Sequence, residues 1–161
     1  MRPDGNGFWG QRIRQNNPRV DGYELKINPQ NESYYLPHPE GGYVQFENMI
    51  NSTVQDGKLV MQQKSFYHVN DMPDFAKNKV LEEARRQIDA AGAADYKVEW
   101  LVSDESAVNQ LTEFFKEHNV DIIVTFLSRI GEFMEIIKCK VEEIIVKSRV
   151  FIQRKNIQIS N

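Results

Sequence analysis

From Lys58 to Leu127 the chain alternates strand-like and helix-like hydrophobic patterns, and this alternation limits the fold more than any other feature. Lys58–Tyr67 has the two-residue period of a strand, with Leu59 and Met61 on one face and Gln62 and Lys64 on the other. Asp71-Met72-Pro73-Asp74 opens a helix, because proline suits a first turn and acidic residues suit a helix N-terminus. Phe75, Val80, Leu81, Ala84, Ile88 and Ala91 form its apolar stripe, and Gly92 stops it. Lys97–Val102, with Trp100, is the next strand. Ser103 or Asp104 caps a second helix carrying Val108, Leu111, Phe114 and Phe115, which Asn119 ends. Asp121–Leu127, DIIVTFL, is a nearly unbroken apolar run, the pattern of a strand buried on both faces. Strand, helix, strand, helix, strand makes two crossover units, so the expected class is α/β with a partly parallel sheet.

Upstream of this array, Tyr43–Met49 reads as a strand paired with Lys58–Tyr67. Asn51, Ser52, Asp56 and Gly57 are the turn formers between them. Val44 and Phe46 share one face, and Gln45 and Glu47 the other. The polar face therefore carries Glu47, Gln62 and Lys64. A carboxylate and an amide oxygen are hard ligands suited to Mg²⁺, which also keeps several waters. A lysine two residues on can orient a metal-bound water or support charge on a phosphate. The same three residues also describe the ordinary solvated side of a strand.

The flanks are less patterned. Phe8–Gln15 fits a short helix, with Trp9 and Ile13 one turn apart, ended by Asn16, Asn17 and Pro18. Tyr23–Ile27 and Ser33–Leu36 fit short strands. His38 lies in the Pro/Gly loop that follows, as a surface residue. Ile130, Phe133, Met134, Ile137, Val141, Ile144 and Ile145 follow helical spacing, making an amphipathic C-terminal extension. The expected organisation is one domain over 1–127, with 1–7 a flexible start, and a helical extension over 128–161 packed on it.

The charge pattern excludes a global basic field. Residues 43–137 hold 9 Lys/Arg against 16 Asp/Glu, whereas 138–155 hold 6 against 2. The cationic stretch fits a solvated helix face or a contact with a phosphate backbone. The single cysteine, Cys139, excludes an internal disulfide framework and a cysteine-based zinc site. No apolar run reaches the length of a membrane span, and MRPDGNGFWG lacks the pattern of a signal peptide. Phosphate-cradling glycine motifs, zinc-protease helices and serine-nucleophile elbows are absent from the sequence.

The runs YVQFEN, DGKLVMQQKSFY, EEARRQIDAAG, VEWLVSD and AVNQLTEFFKEHNV resemble the restriction-endonuclease-fold toxins of bacterial polymorphic toxin systems, in the PD-(D/E)XK nuclease superfamily. The resemblance covers about residues 8–127 in element order and is most specific from Phe46 to Trp100. It implies a restriction-endonuclease-like mixed sheet with flanking helices. By position, Glu47 matches the metal-binding aspartate, Gln62 the second acid and Lys64 the lysine. Glu for Asp at 47, Asn for Gly at 48 and Gln for an acid at 62 are departures. Arg86 and Gln87 match an Arg-Gln pair near the active site, and Gln11 a polar residue of the first helix. The resemblance further implies Mg²⁺ or Mn²⁺ held by Glu47, Gln62 and a carbonyl near Gln63. Asp56 is an alternative ligand or a plain turn residue. The implied activity is metal-dependent cleavage of DNA by a secreted effector acting in a target cell's cytoplasm. A cognate immunity protein would neutralise it, and no membrane insertion is expected. A repair, transposition or restriction nuclease of the same fold, and a non-catalytic binding module, are the alternatives.

Overall fold

A computed structural model describes residues 2–4, 6–61 and 67–129. The chain divides into two compact units, Met1–Leu127 and Ser128–Asn161, and every described element belongs to the first. The expected helix from Ile130 to about Lys147 lies outside the described residues. The fold is mixed α/β, with two four-stranded sheets and three α-helices among the described residues.

The first sheet is an antiparallel array of β1 (Arg2–Asp4), β2 (Gly7–Gln11), β3 (Glu32–Pro37) and β4 (Tyr43–Phe46). The second contains β5 (Asn48–Ile50), β6 (Thr53–Lys58), β7 (Lys97–Val102) and β8 (Ile123–Phe126). β5 and β6 form a hairpin, while β6–β7 and β7–β8 are parallel. Helix α2 (Asp74–Gly92) joins β6 to β7, and α3 (Glu105–Glu117) joins β7 to β8. Both expected crossover units are therefore present.

Several expectations are corrected. Phe8–Gln15 is not a helix, because Phe8 to Gln11 lie in β2, paired with β3. Trp9 packs on the core while Ile13 is exposed. Asn17 and Pro18 start a helix instead of ending one. The Asn17 side chain accepts the Arg19 N–H at 3.1 Å, and Pro18 opens α1 (Pro18–Ile27). Tyr23–Ile27 is thus helical. Its alternation was coincidental, since Tyr23 and Glu24 are buried and Leu25 is not.

The hairpin is also shifted. Its turn is Asn51-Ser52, both at positive φ (49° and 58°), the two-residue geometry that matches strand twist. Asp56 and Gly57 therefore lie inside a strand, and β6 ends at Lys58, where the second strand was expected to begin. The first strand breaks at Glu47, so β4 and β5 join different sheets. β8 is half exposed instead of buried on both faces, because it pairs on one side only among the described strands. In α2, Pro73 is the cap and Phe75 faces solvent.

One core joins the layers. Tyr34, Leu36, Val44 and Phe46 of the first sheet pack with Val54, Val98, Trp100 and Val102 of the second and with Val80, Ala84, Leu111 and Phe115 of the helices. Trp100 meets Phe115 edge-on at 5.1 Å. Asp104 caps α3 by accepting the Ala107 N–H at 2.9 Å, and it also contacts His68 Nε2 at 3.1 Å. The cap bond, with His68, holds the Asp104 pKa below its ordinary 3.8. A depressed folded-state pKa gives stability above pH 3.8 that is lost as pH falls through the folded value. Asp104→Ala should cost about 1 kcal/mol near neutral pH. In denaturant melts the difference from the parent should shrink on acidification, and a constant difference would refute this role.

Candidate active site

The chain crosses from the first sheet to the second at Glu47, and the crossing is anchored on both sides. The Glu47 N–H donates to the Gln55 carbonyl at 2.9 Å, and the Asn28 side-chain amide donates to the Glu47 carbonyl at 3.1 Å. These bonds turn the carboxylate inward, where it accepts the Gly57 N–H at 2.8 Å. Asp56 and Lys58 alternate along β6 on the same buried face as Val54. α2 covers this face. Glu83 and Gln87, one turn apart on α2, reach Lys58 and Asp56 respectively.

The opposite face of β6 carries α1 at Gly57. A Cβ there would meet Ile27 Cδ1 at 2.6 Å, so the glycine serves a close helix approach and not a turn. On that same side of the sheet, Asn48, Gln55, Glu99 and Thr125 are linked across four strands by bonds of 2.7–2.9 Å. This ladder fixes the register that puts Asp56 beside Trp100.

Lys58 is the most constrained charge in the site. Its ammonium lies 2.5 Å from Asp56 Oδ2 and 2.7 Å from Glu83 Oε1, and 4.4 Å over the Trp100 ring. Burial alone would lower its pKa, but Asp56, with Tyr67 and Glu83, reverses that and holds it well above the ordinary lysine value. Gln87 has both ends committed. Its amide donates to Asp56 and its oxygen accepts the Trp100 indole N–H at 2.6 Å. Burial pushes the Glu47 carboxyl well above its ordinary value, and the adjacent Asp56 carboxylate pushes it further.

A second buried pair joins the segment after β2 to α1. Arg12 is 3.7 Å from Glu24 and donates to the Glu24 and Asn28 carbonyls at 3.3 and 3.2 Å. Burial raises the Glu24 pKa against the opposing pull of Arg12. Glu24, Glu47, Asp56, Lys58, Tyr67 and Glu83 line a cleft of about 400 Å³. A neighbouring cleft of about 530 Å³ shares Glu47, Asp56 and Glu83 and adds Gln45, Lys79, Arg86 and Gln87. Another hollow, of about 320 Å³ between α2 and α3, shares no residue with them, and its Asp74, Glu113 and Glu117 are exposed.

Of the residues singled out from the sequence, Glu47, Asp56 and Gln87 converge here, and Arg86 sits at the rim. Gln62, Gln63 and Lys64 lie outside the described residues. Gln11 is in β2, where its carbonyl accepts the Tyr35 hydroxyl and its exposed side chain lines neither cleft. His38 accepts the Glu40 N–H in the exposed β3–β4 turn. Lys58, Glu83, Glu24 and Trp100 had not been singled out as site residues. The spacing Asp56-Gly57-Lys58, an acid and a lysine on one strand face, was the available signal, and reading Asp-Gly as a turn concealed it.

Among the described residues no three His, Cys, Asp or Glu side chains group closely enough to hold a metal ion alone. Mg²⁺ needs less, because it binds through one or two carboxylates plus waters and substrate phosphates. Glu47 and Asp56 fit that requirement. Four carboxylates share the first cleft, with Lys58 in it and Arg12 paired to Glu24. A bound cation would relieve the repulsion from Asp56 that helps to raise the Glu47 pKa. Comparison of the chain with protein-family models, with curated proteins and with solved structures found no match.

Proposed function

We propose that this protein is a metal-dependent deoxyribonuclease with a restriction-endonuclease-like fold, and that Glu47, Asp56 and Lys58 are its catalytic residues. One observation carries the reading: two carboxylates and a lysine converge on one buried face, with the acid and lysine at the 56/58 spacing. The resemblance set out above calls for an acid, one residue, then a lysine, following an earlier acid. Asp56-Gly57-Lys58 after Glu47 meets that pattern without the glutamine departure at 62.

Glu47 and Asp56 would hold Mg²⁺ or Mn²⁺. When bound, the cation polarises the scissile phosphate and lowers the pKa of a coordinated water. Lys58 has three N–H donors, of which Asp56 and Glu83 take two, so the third can support charge developing on the phosphate. Gln87 fixes the Asp56 carboxylate, and Trp100 fixes Gln87. Arg86 and Lys79, at the rim of the adjoining cleft, suit phosphates flanking the cut.

The biological setting follows from the resemblance alone. The protein would be a secreted toxin effector acting in the cytoplasm of a competing bacterium, with an immunity protein encoded beside it. The described residues contain no helix long and apolar enough to cross a membrane. Purified protein should degrade DNA with Mg²⁺ or Mn²⁺ and not with EDTA, and inactivity with both metals would overturn the nuclease reading. Expression in bacterial cytosol should arrest growth, and co-expression of the neighbouring gene should restore it. Equal growth with and without the neighbour, at matched protein levels, would remove the toxin role and leave the nuclease.

A further inference from the structure

The first sheet turns Tyr34, Leu36, Val44 and Phe46 to the core and the alternate residues outward. Three aromatic rings stand on that outward face. Phe8 and Tyr35 are direct cross-strand partners whose rings stack at 5.3 Å with planes 14° apart. Tyr43 meets Phe8 edge-on at 5.1 Å and is 56% exposed. Gly10 lies beneath the pair. A Cβ there would be 3.2 Å from the Tyr35 ring and 3.3 Å from the Phe8 ring, so both rings lie close over the strand. Tyr35 is also pinned, because its hydroxyl donates to the Gln11 carbonyl at 2.6 Å and lies 3.2 Å from Gln45 Oε1.

This face runs into the candidate site. Gln45, bonded to Tyr35, lines the cleft that contains Glu47 and Asp56. Arg86, which lines the same cleft, donates to the Tyr43 carbonyl at 3.2 Å. Gln45 and Arg86 thus link this face to the cleft in which Glu47 and Asp56 are buried. Cross-strand packing accounts for Phe8 against Tyr35. It does not account for a third ring that is more than half exposed.

We propose that the outer face of the first sheet is a stacking platform for unpaired nucleobases, which delivers a single strand of nucleic acid to Glu47, Asp56 and Lys58. The proposal rests on the nuclease reading and names its substrate class. Bases in a duplex hide their faces against one another, whereas a single strand offers each face to an aromatic ring. Arg86 and Lys79 take the phosphates between the stacked bases and the cut. The cleft's own carboxylates repel a phosphate, so the neutral rings, and not a basic groove, supply the grip.

The test is fluorescence anisotropy in EDTA, where nothing is cut, with labelled oligothymidylate and oligouridylate of about 12 nucleotides and a duplex of equal length. The parent should bind the single strand at least about tenfold more tightly than the duplex. Tyr43→Ala should weaken single-strand binding about tenfold at an unchanged melting temperature, and Tyr43→Trp should restore it. Tighter binding of oligothymidylate assigns DNA, tighter binding of oligouridylate assigns RNA, and either supports the platform. Duplex bound as tightly as single strand, or full affinity in Tyr43→Ala, would overturn it. A protein that holds the strand through Tyr43 and never cuts it keeps the platform and loses the nuclease reading. A protein that cuts DNA and is indifferent to Tyr43 does the reverse.

Discussion

Lys58→Met is expected to lower metal-dependent DNA cleavage by at least about a hundredfold, because charge on the transition-state phosphate loses its nearest fixed cation. The same substitution should cost stability. Lys58 is buried, and removing one member of a buried ion pair leaves the other charge unpaired. Glu83 is half exposed and can turn to water, so the cost falls mainly on Asp56 and sits near the lower end of the range, about 3 kcal/mol. Methionine keeps most of the stem volume against Trp100 and Tyr67, so the loss is electrostatic more than steric. Mg²⁺ should then recover more melting temperature in Lys58→Met than in the parent, since Asp56 has lost its protein cation. Thermal melts with Mg²⁺ and with EDTA measure this. An equal metal effect in both proteins would separate Asp56 from the cation.

Glu47→Gln is expected to move activity and stability in opposite directions. The Glu47 carboxyl is buried, and the folded state holds its pKa well above the ordinary 4.5. A carboxyl with a raised folded-state pKa loses stability as pH rises from 4.5 toward the folded value, because ionising it in place is penalised. The amide keeps an oxygen for the Gly57 N–H and can donate to Asp56, with no charge to bury. Near neutral pH the variant should be more stable than the parent, by about 1 kcal/mol. Below pH 4.5 the two should converge. Cleavage should fall by at least about a hundredfold, with weaker metal binding. A Glu47→Gln protein that melts lower than the parent near neutral pH would show that the carboxylate is structural.

The crossover half of the fold was legible in the sequence because its signals are local. α2, β7 and α3 carry regular periodicity with recognisable starts and stops at Pro73, Asp104 and Asn119. The N-terminal half misled because each short segment fitted two periods. Tyr23, Leu25 and Ile27 alternate like a strand, yet Tyr23 and Glu24 are the residues that α1 buries. Asn17-Pro18 suits the end of one helix and the start of another equally well. The site was half legible for a related reason. The family pattern points to Glu47 and Gln87, whereas Asp56-Gly57 has the chemistry of a turn. Only the close approach of Ile27 explains a glycine inside β6. Once Gly57 belongs to a strand, Asp56 and Lys58 share a face. Trp100 was read as a strand aromatic, and its bond to Gln87 crosses from β7 to α2, which no local pattern encodes.

That Asp56 and Lys58 are the catalytic acid and lysine is tested most directly by cleavage of single-stranded DNA by three proteins in parallel. The parent and Lys64→Ala should both degrade the DNA with Mg²⁺ or Mn²⁺ and leave it intact with EDTA. Asp56→Asn should leave it intact under every condition while still folding. Cutting by Asp56→Asn at the parental rate, or loss of cutting in Lys64→Ala, would contradict the assignment.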